Sequence, residues 1–209
     1  MTWYFPHGSL ATASQPVSLS AQRAGWTYCG IEVHDLSREP SVEFRFMDRE
    51  AVIVPLSTRG MDATVDGNRF RIAGRSGVFA AVADWLYVPV GASVQIVGEP
   101  GEFAVCSAKA DRQFPVHHGL AANVPVEPRG AGFATRQVNN IATPDSFRAA
   151  HRILVCEVLT PGGNWSSWPP HRHDGVAGCP YMNEEIYYFR LGKQQSDHGD
   201  SEATGYFHA

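Results

Sequence analysis

Trp165-Ser166-Ser167-Trp168-Pro169-Pro170-His171-Arg172-His173-Asp174, followed after a short loop by Glu184-Glu185-Ile186-Tyr187-Tyr188, is the stretch that decides the fold. Side chains on extended backbone alternate with period two, so a His-x-His pair turns both imidazoles to one face. A carboxylate from the next extended segment can close such a pair into a three-ligand site. Nitrogen and oxygen donors of this kind suit zinc, manganese, iron or nickel. The bland alternative is two surface histidines in a Pro-rich turn; the aromatic run before them and the carboxylates after them weigh against it.

The surrounding chain is compatible with a β scaffold. Its 209 residues carry 18% charged and 44% hydrophobic side chains, as an ordinary globular protein does. Net charge is −4 and the arginines are scattered, which excludes a basic nucleic-acid footprint and gives no reason to expect an anionic membrane surface. No apolar run approaches the roughly 18 residues of a membrane span. Met1-Thr2-Trp3-Tyr4-Phe5-Pro6-His7 lacks the basic and apolar regions of a signal peptide, so a cytoplasmic location is expected. Cys29, Cys106, Cys156 and Cys179 form no C-x-x-C pair and read as reduced thiols.

Short apolar runs punctuated by 20 glycines and 14 prolines read as strands. Val42-Glu43-Phe44-Arg45-Phe46 alternates, and Ala51-Val52-Ile53-Val54-Pro55-Leu56 is a buried run. Residues Ala63 to Ile72 make a hairpin around Asp66-Gly67. Further strands are expected at Gly77-Val78-Phe79, Leu86 to Pro89, Ser93 to Val97 and Phe103 to Cys106. That spacing of about ten residues implies a sandwich or barrel. One short helix is expected near Asp145 to Ala150. Phe114 to Arg136 reads as a connection, and a second β series runs from Arg152 to Leu159 and from Glu184 to Leu191.

Pro89-Val90-Gly91 resembles the second metal motif of the cupin barrel, but Val94 stands where that motif has its histidine. Gly163, His171, His173, Glu185 and Gly192 resemble the first motif, with six residues between Glu185 and Gly192. The eleven residues between His173 and Glu185 exceed the usual spacer, and one family inserts a loop there. The run from Glu157 to Asp174, with Glu184 to Arg190, Arg129-Gly130-Ala131-Gly132 and Arg136 to Ile141, strongly resembles 5-deoxy-glucuronate isomerase of bacterial inositol catabolism.

The resemblance implies an all-β bicupin, two jelly-roll barrels of which the second is incomplete in this chain. Residues 1–113 would form a barrel without a metal site, 114–150 a connection, and 151–209 the start of a metal-binding barrel. It implies a divalent metal ion (zinc, manganese or iron) held by His171, His173 and Glu185, with a fourth ligand, a histidine, beyond residue 209. The reaction implied is aldose–ketose isomerisation of 5-deoxy-glucuronate to 2-deoxy-5-keto-gluconate.

Glu184, or a tyrosine on the same strand, is the candidate base. Tyr187, Trp168 and Arg136 are candidate substrate contacts, with core packing open for the tryptophan and a structural ion pair open for Arg129 and Arg136. Asp174 is either a partner of a ligating imidazole or a turn residue, and Cys179 is a weak ligand candidate. His117-His118 read as loop histidines. A small deoxyuronate is the expected partner, without nucleic acid or membrane, and unpaired edge strands imply a homo-oligomer. The competing class is a non-catalytic sugar- or metal-binding bicupin, or an inactive truncated isomerase.

Overall fold

The computed structural model describes residues 4–169, 171, 173, 175, 182–192 and 205. Within them the apolar runs become strands. The first are β1 (Val17–Leu19), β2 (Cys29–Asp35), β3 (Ser41–Arg45), β4 (Arg49–Pro55), β5 (Gly60–Val65) and β6 (Asn68–Ala73). These are followed by β7 (Trp85–Val88), β8 (Ser93–Gly98), β9 (Glu102–Lys109) and β10 (His117–Gly119). The last are β11 (Val126–Arg129), β12 (Arg136–Ala142) and β13 (Val155–Leu159). Asp66 and Gly67 both take positive φ, 46° and 87°. That turn matches the twist of the flanking strands and sets the β5–β6 register at Val65 opposite Asn68.

β1, β2, β9, β4, β7 and β10 form one antiparallel sheet in that order, and β3, β8, β5 and β6 form a second. Strands 2-9-4-7 facing 3-8-5-6 is the jelly-roll arrangement, in which hydrogen-bonded neighbours are mostly distant in sequence. Between the sheets lie Ile53, Leu86, Val94, Ile96, Phe103 and Val105 among others, each at most 2% exposed. Burying a side chain of this size contributes about 1.5–3 kcal/mol. Val94, the position where the second cupin motif has a histidine, is thus a core residue.

The outer face of the larger sheet is also covered. Val52, Val54, Trp85 and Tyr87 pack against Val124, Ile141 and Ala142, with Phe147, Ile153 and Val155 alongside. This explains why Ala51 to Leu56 is apolar without alternation: both of its faces meet protein. β11, β12 and β13 form a third, antiparallel sheet.

Four expectations are corrected. Residues Asp145 to Ala150 are not helical. Ser146 Oγ accepts from the Thr143 amide at 2.9 Å and Phe147 N donates to Thr143 O at 2.7 Å, closing a single turn. Phe147 then stacks on His117, with ring centroids 4.8 Å apart, and leads the chain onto the sheet. The one α-helix among the described residues is instead α1 (Ala21–Ala24), capped by Ser20 and ended by Gly25 at φ 74°. Its four residues are too short to show a helical period.

Gly77-Val78-Phe79 is a turn rather than a strand, closed by Ala80 N donating to Gly77 O. Residues 183–192, expected as a strand, are not paired into a sheet. The stretch read as a connection contributes β10 to the six-stranded sheet, and β11 to the sheet of β12 and β13. No helix among the described residues is long and apolar enough to cross a membrane.

Candidate functional site

From Glu184 to Arg190 alternate side chains meet different surroundings, the period-two division that strand-like backbone makes, and the molecule uses both faces. Even-numbered residues dock on the jelly roll. The Glu184 carboxylate accepts the amides of Thr27 (2.7 Å), Tyr28 (2.7 Å) and Cys29 (2.9 Å). The Cys29 thiol in turn donates to Glu184 O at 3.2 Å. Ile186 packs with Leu10, Leu19 and Ile31. Arg190 pairs with Glu102 at the start of β9 and reaches the Tyr188 hydroxyl.

Odd-numbered residues form the other face. Tyr187 donates to Glu185 Oε2 at 2.6 Å and stacks on Phe189, centroids 6.1 Å apart and rings 11° from parallel. Glu185 Oε1 lies 3.7 Å from His173 Nε2. The imidazoles of His171 and His173 meet edge to face at 5.1 Å. Asn183 N donates to His173 O at 2.7 Å, which ties the histidine stretch to the carboxylate segment.

These donors can be tested against a divalent ion. Two ligands about 2.1 Å from a tetrahedral ion stand roughly 3.4 Å apart. His173 and Glu185 therefore fit with a small adjustment. His171 Nδ1 faces Pro169 O at 3.1 Å and Ser167 Oγ at 3.3 Å, and these contacts orient the ring. The described residues hold no group of three or more His, Cys, Asp or Glu side chains already close enough to bind a metal. The donor chemistry suits the ion, and two of the three expected ligands are brought together. Asp174 and Cys179 lie outside the described residues.

Glu184 is placed differently from its reading as a base, because both carboxylate oxygens are taken up by backbone amides. Trp168 is 51% exposed and is not core; it stands edge-on to Phe133 at 5.6 Å and beside Trp165 at 6.1 Å. Phe133 was not legible as a site residue, because it follows a Gly-rich turn without periodicity. Arg136 Nη1 donates to Ala134 O at 3.1 Å, and Arg129 pairs with Glu127 at 2.8 Å.

His117 and His118 belong to β10, where His118 Nε2 meets Asp84 Oδ2 at 3.0 Å. Burial, and then the neighbouring His118, push the His117 pKa down. Partial desolvation of its hydroxyl end, although the ring is exposed, and then the hydrogen bond to Glu185 hold the Tyr187 phenol above the usual tyrosine range. Cys29, Cys106 and Cys156 are free thiols. Burial raises Cys29 to about 11, assisted by the Glu184 and Glu185 charges.

One further cluster has no sequence signal at all. The Arg75 side chain is fully buried, donates to Pro55 O at 3.0 Å and pairs with Glu157 of β13. Asn139 of β12 donates to the same carboxylate at 3.2 Å. A charge this deep is tolerated because it is paired and hydrogen-bonded.

Comparison with known proteins follows the same path along the chain. Residues 4–206 match the model of the KduI/IolB family. The 5-deoxy-glucuronate isomerase of Geobacillus thermodenitrificans is 35% identical over 187 residues, covering 88% of this chain and 66% of that protein. That of Geobacillus kaustophilus is also 35% identical, covering 84% and 64%. The crystal structure of an IolB-like protein from Salmonella typhimurium superposes with a TM-score of 0.73 at 33% identity, over 80% of this chain and 64% of that one. The chain thus spans about two thirds of the length of these relatives.

Proposed function

Because the chain belongs to the KduI/IolB family, we propose that it serves aldose–ketose isomerisation of 5-deoxy-glucuronate to 2-deoxy-5-keto-gluconate in the cytoplasm. The observation that carries the reading is the approach of Glu185 to His173, with Glu185 itself held by Tyr187. Relatives named 5-deoxy-glucuronate isomerase supply the substrate class. His171, His173 and Glu185 would hold a divalent ion, zinc, manganese or iron. Such an ion, when bound, polarises the sugar's carbonyl and hydroxyl oxygens as a Lewis acid.

The chain's own residues do the rest. Tyr187 keeps a proton at its hydroxyl and fixes the orientation of Glu185 through it. The exposed ring of Trp168, braced by Phe133 and Trp165, offers a flat apolar surface to the sugar. Isomerisation moves one proton between neighbouring carbons and another between the oxygens they carry, and needs no external oxidant. It calls for a group that both gives and takes a proton beside the substrate. Tyr187 holds a proton on this face and can give it to a substrate oxygen; a phenol held above its usual range does not take a proton from carbon, so the base is a separate group. A homo-oligomer covering the open edges of the sheets belongs to the same reading.

The test is turnover of 5-deoxy-glucuronate, followed by proton NMR, together with metal content per chain. The parent is measured beside His171→Ala and Glu185→Gln. Turnover and close to one metal in the parent, both lost in the variants, support the reading. Metal without turnover points to the non-catalytic binding class. Full turnover in either variant sinks the proposed site.

A further inference from the structure

Two glutamates tie the jelly roll to the rest of the chain, and they do so reciprocally. Glu50, on β4 of the jelly roll and completely buried, accepts the amides of His151 (2.8 Å), Arg152 (2.5 Å) and Ile153 (2.8 Å), all from the later part of the chain. It also accepts the Tyr87 hydroxyl at 2.7 Å. Glu184, from the later part, accepts the amides of Thr27, Tyr28 and Cys29 at the entry to β2. The two clasps meet, since the Arg152 guanidinium lies 4.9 Å from the centre of the Tyr28 ring.

They differ in setting. The Glu50 carboxylate is completely buried and of the residues it grips only Arg152 is exposed, whereas the second grips two exposed residues, Thr27 and Tyr28. Three successive amides on one carboxylate define its position closely, because charge-assisted bonds are short and directional. The residue so fixed immediately precedes Glu185. On extended backbone, fixing the side chain at 184 sets which way the side chain at 185 turns. Ile186 and Arg190 hold the same even-numbered face against the jelly roll.

We infer that Glu184 is a positioning residue, whose carboxylate, clasped by the amides of Thr27, Tyr28 and Cys29, holds Glu185 toward His173. The role deepens the metal-site reading above and rests on it. It also gives the first jelly roll a task, that of a rigid platform against which the working face of the later segment is set. Glu184 acts through Glu185 and need not touch substrate.

The experiment compares the parent with Glu184→Ala, Glu184→Gln and Glu185→Gln. Zinc affinity is read by chelator competition, amide hydrogen exchange by mass spectrometry, and the melting midpoint by calorimetry. Loss of a group that orients a ligand costs about 10–100-fold in metal affinity. Glu184→Ala is expected to show that loss, with faster exchange at residues 27–29 and 183–189 and a nearly unchanged midpoint. Glu184→Gln keeps one acceptor oxygen and is expected to lie between Glu184→Ala and the parent.

Zinc affinity of Glu184→Ala within twofold of a zinc-binding parent overturns the positioning role. A parent that binds no zinc overturns the metal reading instead. Exchange at residues 185–189 then decides the positioning role by itself: no change in Glu184→Ala removes it, and faster exchange there upholds it.

Discussion

The interior of the first jelly roll and the face carrying Glu185, Tyr187 and Phe189 are built from similar extended backbone and put to opposite use. In the jelly roll, alternate residues such as Val94, Ile96, Phe103 and Val105 fill the space between two sheets, leaving them no more than 2% exposed. In the later segment, the even-numbered residues are consumed in docking, while Tyr187 and Phe189 remain 59% and 58% exposed. A filled interior leaves no room for a ligand, whereas a docked segment with an open opposite face presents its side chains at fixed positions. The difference separates a scaffold of paired strands from a site on an unpaired segment.

The two clasps give the sharpest way to break that comparison. Glu50→Ala strips a buried region of the acceptor for three amides and one hydroxyl. The expected loss is about 3–5 kcal/mol of global stability, read from urea unfolding. A loss below 1 kcal/mol would mean that water replaces the carboxylate, and that the sealed clasp is no more structural than the exposed one.

Within the scaffold, Ile96→Ala is expected to cost about 2–5 kcal/mol through the cavity that it leaves. Metal bound per folded chain should stay at the parent's value. A fall in metal content at full folding would instead couple the core directly to the site. On the open face, Trp168→Ala is expected to raise KM for the sugar roughly tenfold, the size of one lost aromatic contact, with stability unmoved. A stability loss comparable to that of Ile96→Ala would return Trp168 to the core.

The smallest effect expected is an acid one within the jelly roll. The hydrogen bond from His34, with help from its charge, Gln15 and Arg49, outweighs burial and holds the Glu32 carboxyl below its ordinary 4.5. A depressed carboxylate stabilises the fold above its unfolded pKa and loses that contribution as pH falls through its folded value. Unfolding curves should therefore show stability falling below about pH 4.5, with a shallower fall in Glu32→Gln. Identical acid limbs in the two proteins would show that the Glu32–His34 pair does not hold the fold.

Much of the scaffold was legible. Alternation at Val42 to Phe46 and the turn at Asp66-Gly67 read correctly because pleating and turn handedness are local properties. The helix expected near Asp145 failed because Ser146 and Phe147 find better partners than a helix offers, and that competition lies outside the segment. α1 was not expected at all, since its four residues are too few to show a helical period.

At the site, the shared face of the His-x-His pair followed from period two, and Glu185 from the resemblance and its six-residue interval to Gly192; in the structure Glu185 Oε1 lies 3.7 Å from His173 Nε2. The strand expected from Glu184 to Leu191 is left unpaired, since nothing in the segment's own residues says whether it will be paired.

Sequence alone determined which residues share a face, because strand geometry repeats every two residues wherever the chain is extended. It also carried the family, through the long Trp165 to Asp174 run. Tertiary structure alone decided what each face meets. Glu50 and Glu184 grip backbone amides of distant residues, and an amide has no signature, since every residue but proline carries one. A carboxylate reads the same in the sequence whether it will take a metal, a proton or three amides. Only the fold brings Thr27, Tyr28 and Cys29 to Glu184 and leaves Glu185 for His173.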